Sequence, residues 1–136
     1  MILVIGGLAQ GKLHYVCKNY VHREDGQEEL VLDGTLVLPE GQRATEDGDF
    51  QIIVNHLHQY IRRQLQQGED PEAALAAFLK KNPDSILICN EIGNGIVPME
   101  AEERCYRECT GRILERLAAE ADEVVRVVCG IGQRIR

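Results

Sequence analysis

Three glycines and a lysine near the amino terminus form a spacing with clear chemical meaning. Gly6, Gly11 and Lys12 fit the pattern G-x-x-x-x-G-K, and Gly7 adds a further glycine at its start. Glycines at these positions let the backbone wrap closely around phosphate groups and present successive N–H groups that a Cβ atom would obstruct. Lys12 supplies a positive charge for the outer phosphates, and the start of a following helix adds to the attraction. The pattern predicts a phosphate-binding loop.

The residue after the lysine departs from the usual pattern. A serine or threonine hydroxyl normally ligates Mg²⁺ at this position, whereas this chain has Leu13, which offers no ligand atom. We therefore expect a weakened Mg²⁺ site. The alternative interpretation is a glycine-rich turn between a strand and a helix that binds nothing. The predicted nucleotide-binding residues are Gly6, Gly7, Leu8, Ala9, Gln10, Gly11, Lys12 and Leu13.

Two acidic residues follow apolar runs of strand length and are candidates to act with Lys12. Asp33 ends the run 29–32, and Glu91 lies two residues beyond the run 85–89. A carboxylate at the carboxyl end of a strand can hold Mg²⁺ directly or through water, so Asp33 is the predicted metal ligand. Glu91 is placed to orient a water molecule, a hydroxyl group or a metal. The competing interpretations are a turn aspartate for Asp33 and a local backbone cap for Glu91.

The elements that position these residues alternate between strand and helix. Residues 1–5 form a continuous apolar run typical of a buried parallel strand, and residues 12–23 can continue as a helix. Further strands are predicted over 29–33, 85–89 and 123–129, with a short edge piece at 133–136. Further helices are predicted over 50–65, over 72–81 behind the N-cap pair Asp70-Pro71, and after Pro98. Residues 39–49 are expected to form an exposed loop.

This alternation predicts an α/β fold with three layers: a mainly parallel sheet with helices on both faces. The length of the chain is consistent with a single nucleotide-binding domain over residues 1–136, with no internal repeat. A net charge of −7 disfavours binding to nucleic acid or to an anionic membrane surface. No apolar run approaches the length of a transmembrane helix or a signal peptide, so we expect a cytoplasmic protein.

Cysteines and histidines give weaker signals. Five cysteines, an odd and scattered set, disfavour a secreted disulfide framework. Cys105 and Cys109 are four residues apart on a predicted helix, but no neighbouring ligand completes a metal site, so packing is the favoured interpretation. His56 and His58 are two apart within a helical pattern, point to different faces, and are expected to be solvated or locally hydrogen-bonded.

Two motifs carry a resemblance to a known family. The loop Asn90-Glu91-Ile92-Gly93-Asn94-Gly95-Ile96-Val97-Pro98 and the phosphate-binding loop both match the bifunctional adenosylcobinamide kinase and adenosylcobinamide-phosphate guanylyltransferase family of cobalamin biosynthesis. Further matches are Ala121 to Val124, at the entry to a strand, and the helix pattern Arg-x-x-Arg-Glu-x-x-Gly-Arg that begins at Arg104. The chain resembles the family without gaps over residues 84–136 and well over residues 1–12.

The resemblance implies a RecA-like phosphate-loop protein that assembles as a homo-oligomer. It also implies phosphorylation of a corrinoid hydroxyl by ATP or GTP, followed by GMP transfer through a guanylylated histidine. The family has serine at the position of Leu13 and an Asn-Gln pair at Leu114-Glu115. Its histidine segment lies between the first helix and the acid-bearing strand, where this chain has only a short connection near His22. The guanylyltransferase half is therefore expected to be lost, unless His22 has taken over.

Two hypotheses follow from these matches and departures. The first is a shortened adenosylcobinamide kinase in which Lys12 stabilises the transferred phosphoryl group. In it, Asp33 and Glu91 bind Mg²⁺ and orient the attacking hydroxyl. The second is a nucleotide- or corrinoid-binding paralogue without catalysis, with a regulatory or partner role. An unrelated phosphate-loop hydrolase is disfavoured by the nine-residue loop.

Overall fold

The computed structural model describes residues 1–21, 29–34 and 51–136, without the side chains of Glu29 and Gln51. The predicted loop at 39–49 and His22 lie outside the described residues. The strands and helices within the described ranges are β1 (Ile2–Gly6), α1 (Lys12–Asn19), β2 (Glu29–Asp33), β3 (Gln51–Asn55), α2 (Leu57–Gln66), α3 (Pro71–Lys81), β4 (Ile86–Asn90), α4 (Ala101–Glu120), β5 (Glu123–Val128) and β6 (Ile131–Arg134).

The strands form one six-stranded sheet in the order β2-β3-β4-β1-β5-β6. Every neighbouring pair is parallel except β5 and β6, which form an antiparallel edge pair. Strand β1, which leads into the glycine-rich loop, is therefore central and has β4 and β5 as neighbours. This confirms the predicted α/β fold with a mainly parallel sheet.

The prediction of a single helix over residues 50–65 was wrong. The structure places strand β3 over Gln51–Asn55, and helix α2 begins only at Leu57. Ile52, Ile53 and Val54 are all buried, and two of the three are β-branched isoleucines and the third is a β-branched valine. A short run that is apolar on both sides suits a buried parallel strand, but it also satisfies a helical period over a few residues. The helical spacing of the residues that follow masked the boundary.

Successive residues of the strands feed two separate hydrophobic cores. Leu3 and the other strand residues on its face of the sheet pack with helices α2, α3 and α4. Val4 packs on the opposite face with Val16 of α1. Alternation of this kind follows from the two-residue period of a strand. Helices thus cover both faces of the sheet, as predicted, and the buried stripe of α4 contains Tyr106 and Ile113.

Parallel pairing brings the carboxyl ends of the five parallel strands to one edge of the sheet. Gly6 of β1 is paired with Asn90 of β4, and Asp33 of β2 is paired with Asn55 of β3. The residues predicted to form the site lie at these strand ends or in the loops that follow them. Ligands of open α/β sheets bind at this edge. No helix in the described part of the chain has the length and apolar character needed to cross a membrane.

Candidate functional site

The glycine-rich loop between β1 and α1 depends on glycine at two positions. Gly11 directly precedes α1 and has a φ of 76°, in the left-handed region that glycine adopts without a steric cost. Gly6 has a φ of 157°, and a Cβ atom there would lie 2.3 Å from the carbonyl oxygen of Val127. The backbone of β5 therefore packs directly against the start of the loop, and only glycine fits.

Lys12 is the first residue of α1, and its side chain turns back into the loop. Its Nζ donates hydrogen bonds to the carbonyl oxygens of Gly6 at 3.2 Å and Gly7 at 2.6 Å, and only 7% of the residue is exposed. Burial lowers the pKa of Lys12, and the negative charge of Glu91 opposes that shift. The ammonium group is thus held at the centre of the loop, where the pattern requires a charge for outer phosphates.

Leu13 packs against the hydrophobic core and offers no metal ligand. Its side chain is partly buried and packs against the hydrophobic core on the α1 side of the sheet, together with Tyr15 and Tyr20. An apolar side chain anchored in a core contributes to stability and offers no oxygen atom. The sequence-based expectation of a weakened Mg²⁺ site stays a prediction, and this packing agrees with it.

An open cleft separates the loop from the ends of two neighbouring strands. The loop wall consists of Leu8, Ala9, Gln10, Gly11, Lys12, Leu13 and His14, and the opposite wall of Asn55, His56, Ile88 and Asn90. The eight predicted nucleotide-binding residues run from the end of β1 to the start of α1, and six of them line this cleft. Asn55, His56 and Asn90 were not predicted as site residues. The convergence of strand ends could have revealed Asn90, but Asn55 and His56 were hidden by the incorrect helix.

Glu91 lies beside the loop, on the first residue after β4. Its backbone N–H donates to the carbonyl oxygen of Gly6 at 3.0 Å. Its carboxylate accepts hydrogen bonds from Arg126 of β5 at 2.8 and 3.1 Å and from the amide of Asn94 at 3.3 Å. Arg126 reaches across β1 to hold the carboxylate in this fork, and the charge of Glu91 is near enough to oppose the lowering of the Lys12 pKa. The structure thus brings Glu91 and Lys12 together.

Asp33 is not brought beside Lys12. It ends the edge strand β2, three strands away from β1, which corresponds to about 14 Å across the sheet. Its Oδ1 lies 3.1 Å from Nδ1 of His56, which lines the cleft and has a left-handed φ of 55°. A non-glycine residue held in that conformation is strained by about 1 kcal/mol or more. Asp33 therefore approaches the cleft through a histidine rather than directly.

The two neighbouring histidines differ in environment. His58 is buried, with 4% of its surface exposed, whereas the side chain of His56 is 45% exposed. Their rings meet edge to face with centroids 5.8 Å apart. Both were predicted to be solvated or locally hydrogen-bonded. His56 is half exposed and lies beside Asp33, whereas His58 is buried and contacts Asn90, 32 residues away in the sequence. Among the described residues no group of three potential ligands for a metal ion is found, including around Cys105 and Cys109.

The oxygen ligands near the loop decide whether the protein itself could bind Mg²⁺, an ion that nucleotide enzymes commonly use. Mg²⁺ takes oxygen ligands in octahedral geometry and usually binds through one or two carboxylates together with substrate phosphates and water. Leu13 contributes nothing, Asp33 is engaged with His56, and Glu91 is engaged with Arg126. These three residues therefore do not form a Mg²⁺ site in the absence of a nucleotide.

A parallel α/β sheet with a glycine-rich loop and a buried lysine between its central strand and the next helix defines the phosphate-loop class of nucleotide-binding proteins. The family model described as CobU, cobinamide kinase / cobinamide phosphate guanyltransferase, matches residues 42–135. The match covers more than half of the chain, and the chain belongs to this family. The glycine-rich loop precedes the matched range, so its interpretation rests on its own sequence and geometry.

Two curated relatives share one name with each other. The bifunctional adenosylcobalamin biosynthesis protein CobU of Salmonella typhimurium is 51% identical over 68 residues, which is 50% of this chain and 38% of the relative. The protein of that name from Escherichia coli is 33% identical over 96 residues, which is 71% of this chain and 48% of the relative. The matched segments thus span less than half the length of either relative.

Proposed function

We propose that this chain carries the kinase activity of its family and transfers a phosphoryl group from ATP or GTP to a hydroxyl group of adenosylcobinamide or a related corrinoid. The observation that carries the proposal is the position of Lys12. Its ammonium group is buried in a glycine-rich loop and held by the carbonyl groups of Gly6 and Gly7. A buried cation whose partners are two neutral carbonyl groups keeps its full charge for an anion that binds in the loop.

In this proposal the loop at residues 6–13 binds the phosphate chain and Lys12 stabilises the charge of the transferred group. Phosphoryl transfer requires mainly positioning and electrostatic stabilisation, because its transition state is loose and spreads charge over the equatorial oxygens. Glu91 orients the attacking hydroxyl. Its support is its place beside Gly6 and the fork of Arg126, which limits the rotation of the carboxylate.

We propose that Mg²⁺ arrives with the nucleotide and takes most of its ligands from the phosphates and water. Asp33, the acid predicted to hold the metal, lies on the edge strand and faces His56, so a direct bond has little support. The ion would lower the charge of the phosphate chain when bound. The protein's own contribution would come from the loop amides and Lys12.

The assembly, location and partners of the protein, and the second reaction of its family, are also proposals. We propose a homo-oligomer in the cytoplasm that takes nucleotide and corrinoid as small-molecule partners, without nucleic acid or membrane. The guanylyltransferase step is not assigned to this chain, because the short connection that contains His22 gives no match to the family's histidine segment. A role for His22 in that step stays a prediction.

A second function is favoured by the packing of Leu13. Since its side chain is anchored in a core, a hydroxyl ligand has been replaced by a stabilising apolar contact. A nucleotide- or corrinoid-binding paralogue without catalysis, acting as a regulator or partner subunit, would gain stability from this change at no functional cost. This alternative predicts binding without turnover.

Calorimetric titration with ATP and GTP, with and without Mg²⁺, followed by adenosylcobinamide, tests the proposal. Nucleotide binding that disappears in Lys12→Met supports it, and phosphorylated corrinoid detected by mass spectrometry separates the kinase from the paralogue. Lys18→Met, an exposed lysine on the same helix, is the matched control. Phosphoryl transfer that survives Lys12→Met unchanged would overturn the assignment. In the binding paralogue, Leu13→Ser should remain inactive, and turnover that appears on this change would count against that alternative.

A further inference from the structure

Asn90, the last residue of β4, forms an unusual pair of contacts with one buried histidine. Its backbone N–H donates to Nδ1 of His58 at 3.4 Å, and its side-chain Nδ2 lies 3.1 Å from Nε2 of the same ring. The paired residues of β3 and β4 are Ile53 with Ile86 and Val54 with Leu87, so this ladder ends before Asn90. His58 therefore supplies the partner that a neighbouring strand would otherwise provide.

These two contacts determine the tautomer of His58. A backbone N–H can only donate, so Nδ1 must accept with its lone pair. A neutral imidazole then carries its proton on Nε2, which donates to the amide of Asn90. Burial, helped by the nearby charges of Lys12 and Arg62, lowers the pKa of His58 to about 4, so that the ring is neutral near pH 7.

The tautomer in turn determines the orientation of the Asn90 amide. Because Nε2–H donates, the amide must present its oxygen to His58 in place of Nδ2. A half-turn about its terminal torsion achieves this, since oxygen and nitrogen then exchange places within the same volume. The NH2 group is then the polar end left for the cleft that Asn90 lines together with the glycine-rich loop.

Asn90 is also next to the part of the loop where outer phosphates belong. It is the paired residue of Gly6, whose carbonyl oxygen accepts from Nζ of Lys12 at 3.2 Å. Lysine at this position of the loop pattern serves the β- and γ-phosphates. Asn90 and Lys12 thus both line the cleft and both lie beside Gly6.

Further contacts hold His58 in place. The hydroxyl of Tyr106 in α4 donates to the backbone carbonyl of His58 at 3.0 Å. The guanidinium of Arg62 stacks on the Tyr106 ring at 4.3 Å and pairs with Glu103 at 3.0 Å. The first turn of α2 is thereby tied to α4, which restricts movement of the imidazole.

We propose that His58 is a positioning residue for Asn90, whose NH2 group donates a hydrogen bond to the outermost phosphate of a bound nucleoside triphosphate. Asn90 would then distinguish triphosphate from diphosphate, and His58 would keep its donor directed at the cleft. This inference rests on the proposed nucleotide site and adds a specificity determinant to it.

The test compares the dissociation constants of a non-hydrolysable triphosphate and the matching diphosphate, measured by calorimetry. In Asn90→Leu we expect the preference for triphosphate to fall about tenfold or more, as for the loss of one hydrogen bond to a charged group. His58→Leu should lower the preference in the same way, whereas His58→Gln, which keeps a donor and an acceptor, should retain most of it. Asn19→Leu, an exposed asparagine on α1, is the matched control.

The outcomes separate this inference from the proposed function. If the wild-type protein binds neither nucleotide, the nucleotide site itself fails and the inference fails with it. If it binds both and the preference is unchanged in Asn90→Leu, or unchanged in His58→Leu, the inference alone is overturned. The ¹⁵N shifts of the His58 ring in the unmutated protein provide a second measurement that needs no folded variant. Protonation at Nε2 is expected, and protonation at Nδ1 would overturn the inference.

Discussion

The carboxylate of Glu91 and the guanidinium of Arg126 form a two-pronged ion pair across strand β1, with Oε1 to Nε at 2.8 Å and Oε2 to a terminal nitrogen at 3.1 Å. The pair joins the residue after β4 to the middle of β5, above the strand that leads into the glycine-rich loop. Arginine can hold a carboxylate at two points, whereas lysine offers only a point charge.

Removing the fork should reduce catalysis more than binding. In Arg126→Met we expect kcat for phosphoryl transfer to fall about a hundredfold, because small misplacements of a reacting group have effects of that size. The nucleotide dissociation constant should change little. The kcat of Arg126→Lys should lie between those of the wild-type protein and Arg126→Met. Steady-state kinetics with calorimetry separates these quantities. An unchanged kcat in Arg126→Met would show that the position of Glu91 has no role in the reaction.

Glycine substitutions should separate a tightly packed glycine from a replaceable one. Gly6→Ala places a Cβ atom 2.3 Å from a backbone oxygen of Val127 and keeps a φ that alanine rarely adopts, so the free energy of unfolding should fall by at least about 1–3 kcal/mol. Gly111→Ala lies in α4, meets nothing within 4 Å, and should gain about 0.5–1 kcal/mol. Urea denaturation measures both changes. A loss of stability in Gly111→Ala would contradict this comparison.

Stability should depend on pH through His58. Burial, with the charges of His56, Lys12 and Arg62, lowers its folded-state pKa from 6.5 to about 4, although Asp33 opposes the shift. Between these values the unfolded chain binds more protons, so the free energy of unfolding should fall as the pH is lowered from 6.5 to 4, by up to about 1.4 kcal/mol per unit. The difference between the wild-type protein and His58→Gln should shrink across this window. A constant difference would contradict the shifted pKa.

The loop after β4 should loosen without Arg107. The guanidinium of Arg107 donates to the carbonyl oxygens of Gly93 and Ile96, and Arg104 of the same helix donates to that of Pro98. In Arg107→Met we expect faster proteolysis and faster hydrogen exchange within residues 93–99, with α4 unaffected. Arg112→Met, a change on the same helix that does not touch this loop, is the control. Equal protection of the loop in Arg107→Met and the wild-type protein would show that these hydrogen bonds contribute nothing to its order.

The local sequence pattern alone was enough to predict much of this structure. The glycine-rich loop, the strands around it and the α/β alternation follow from residue spacing, because a loop that wraps phosphate needs glycine wherever it occurs in a chain. The apolar face of α4 and the N-cap at Asp70 are likewise local, and the cap's carboxylate accepts from the backbone N–H groups of Glu72 and Ala73.

Tertiary structure decided which residues meet. Strand β3 could not be told from a helix, because Ile52-Ile53-Val54 suits either when read alone and only its neighbours β2 and β4 make it a strand. Strand order then placed Asp33 at the edge and Glu91 at the centre, although both acids follow apolar runs in the same way. The pairing of Asn90 with His58 joins residues 32 positions apart and arises only because β3 ends and α2 begins beside β4.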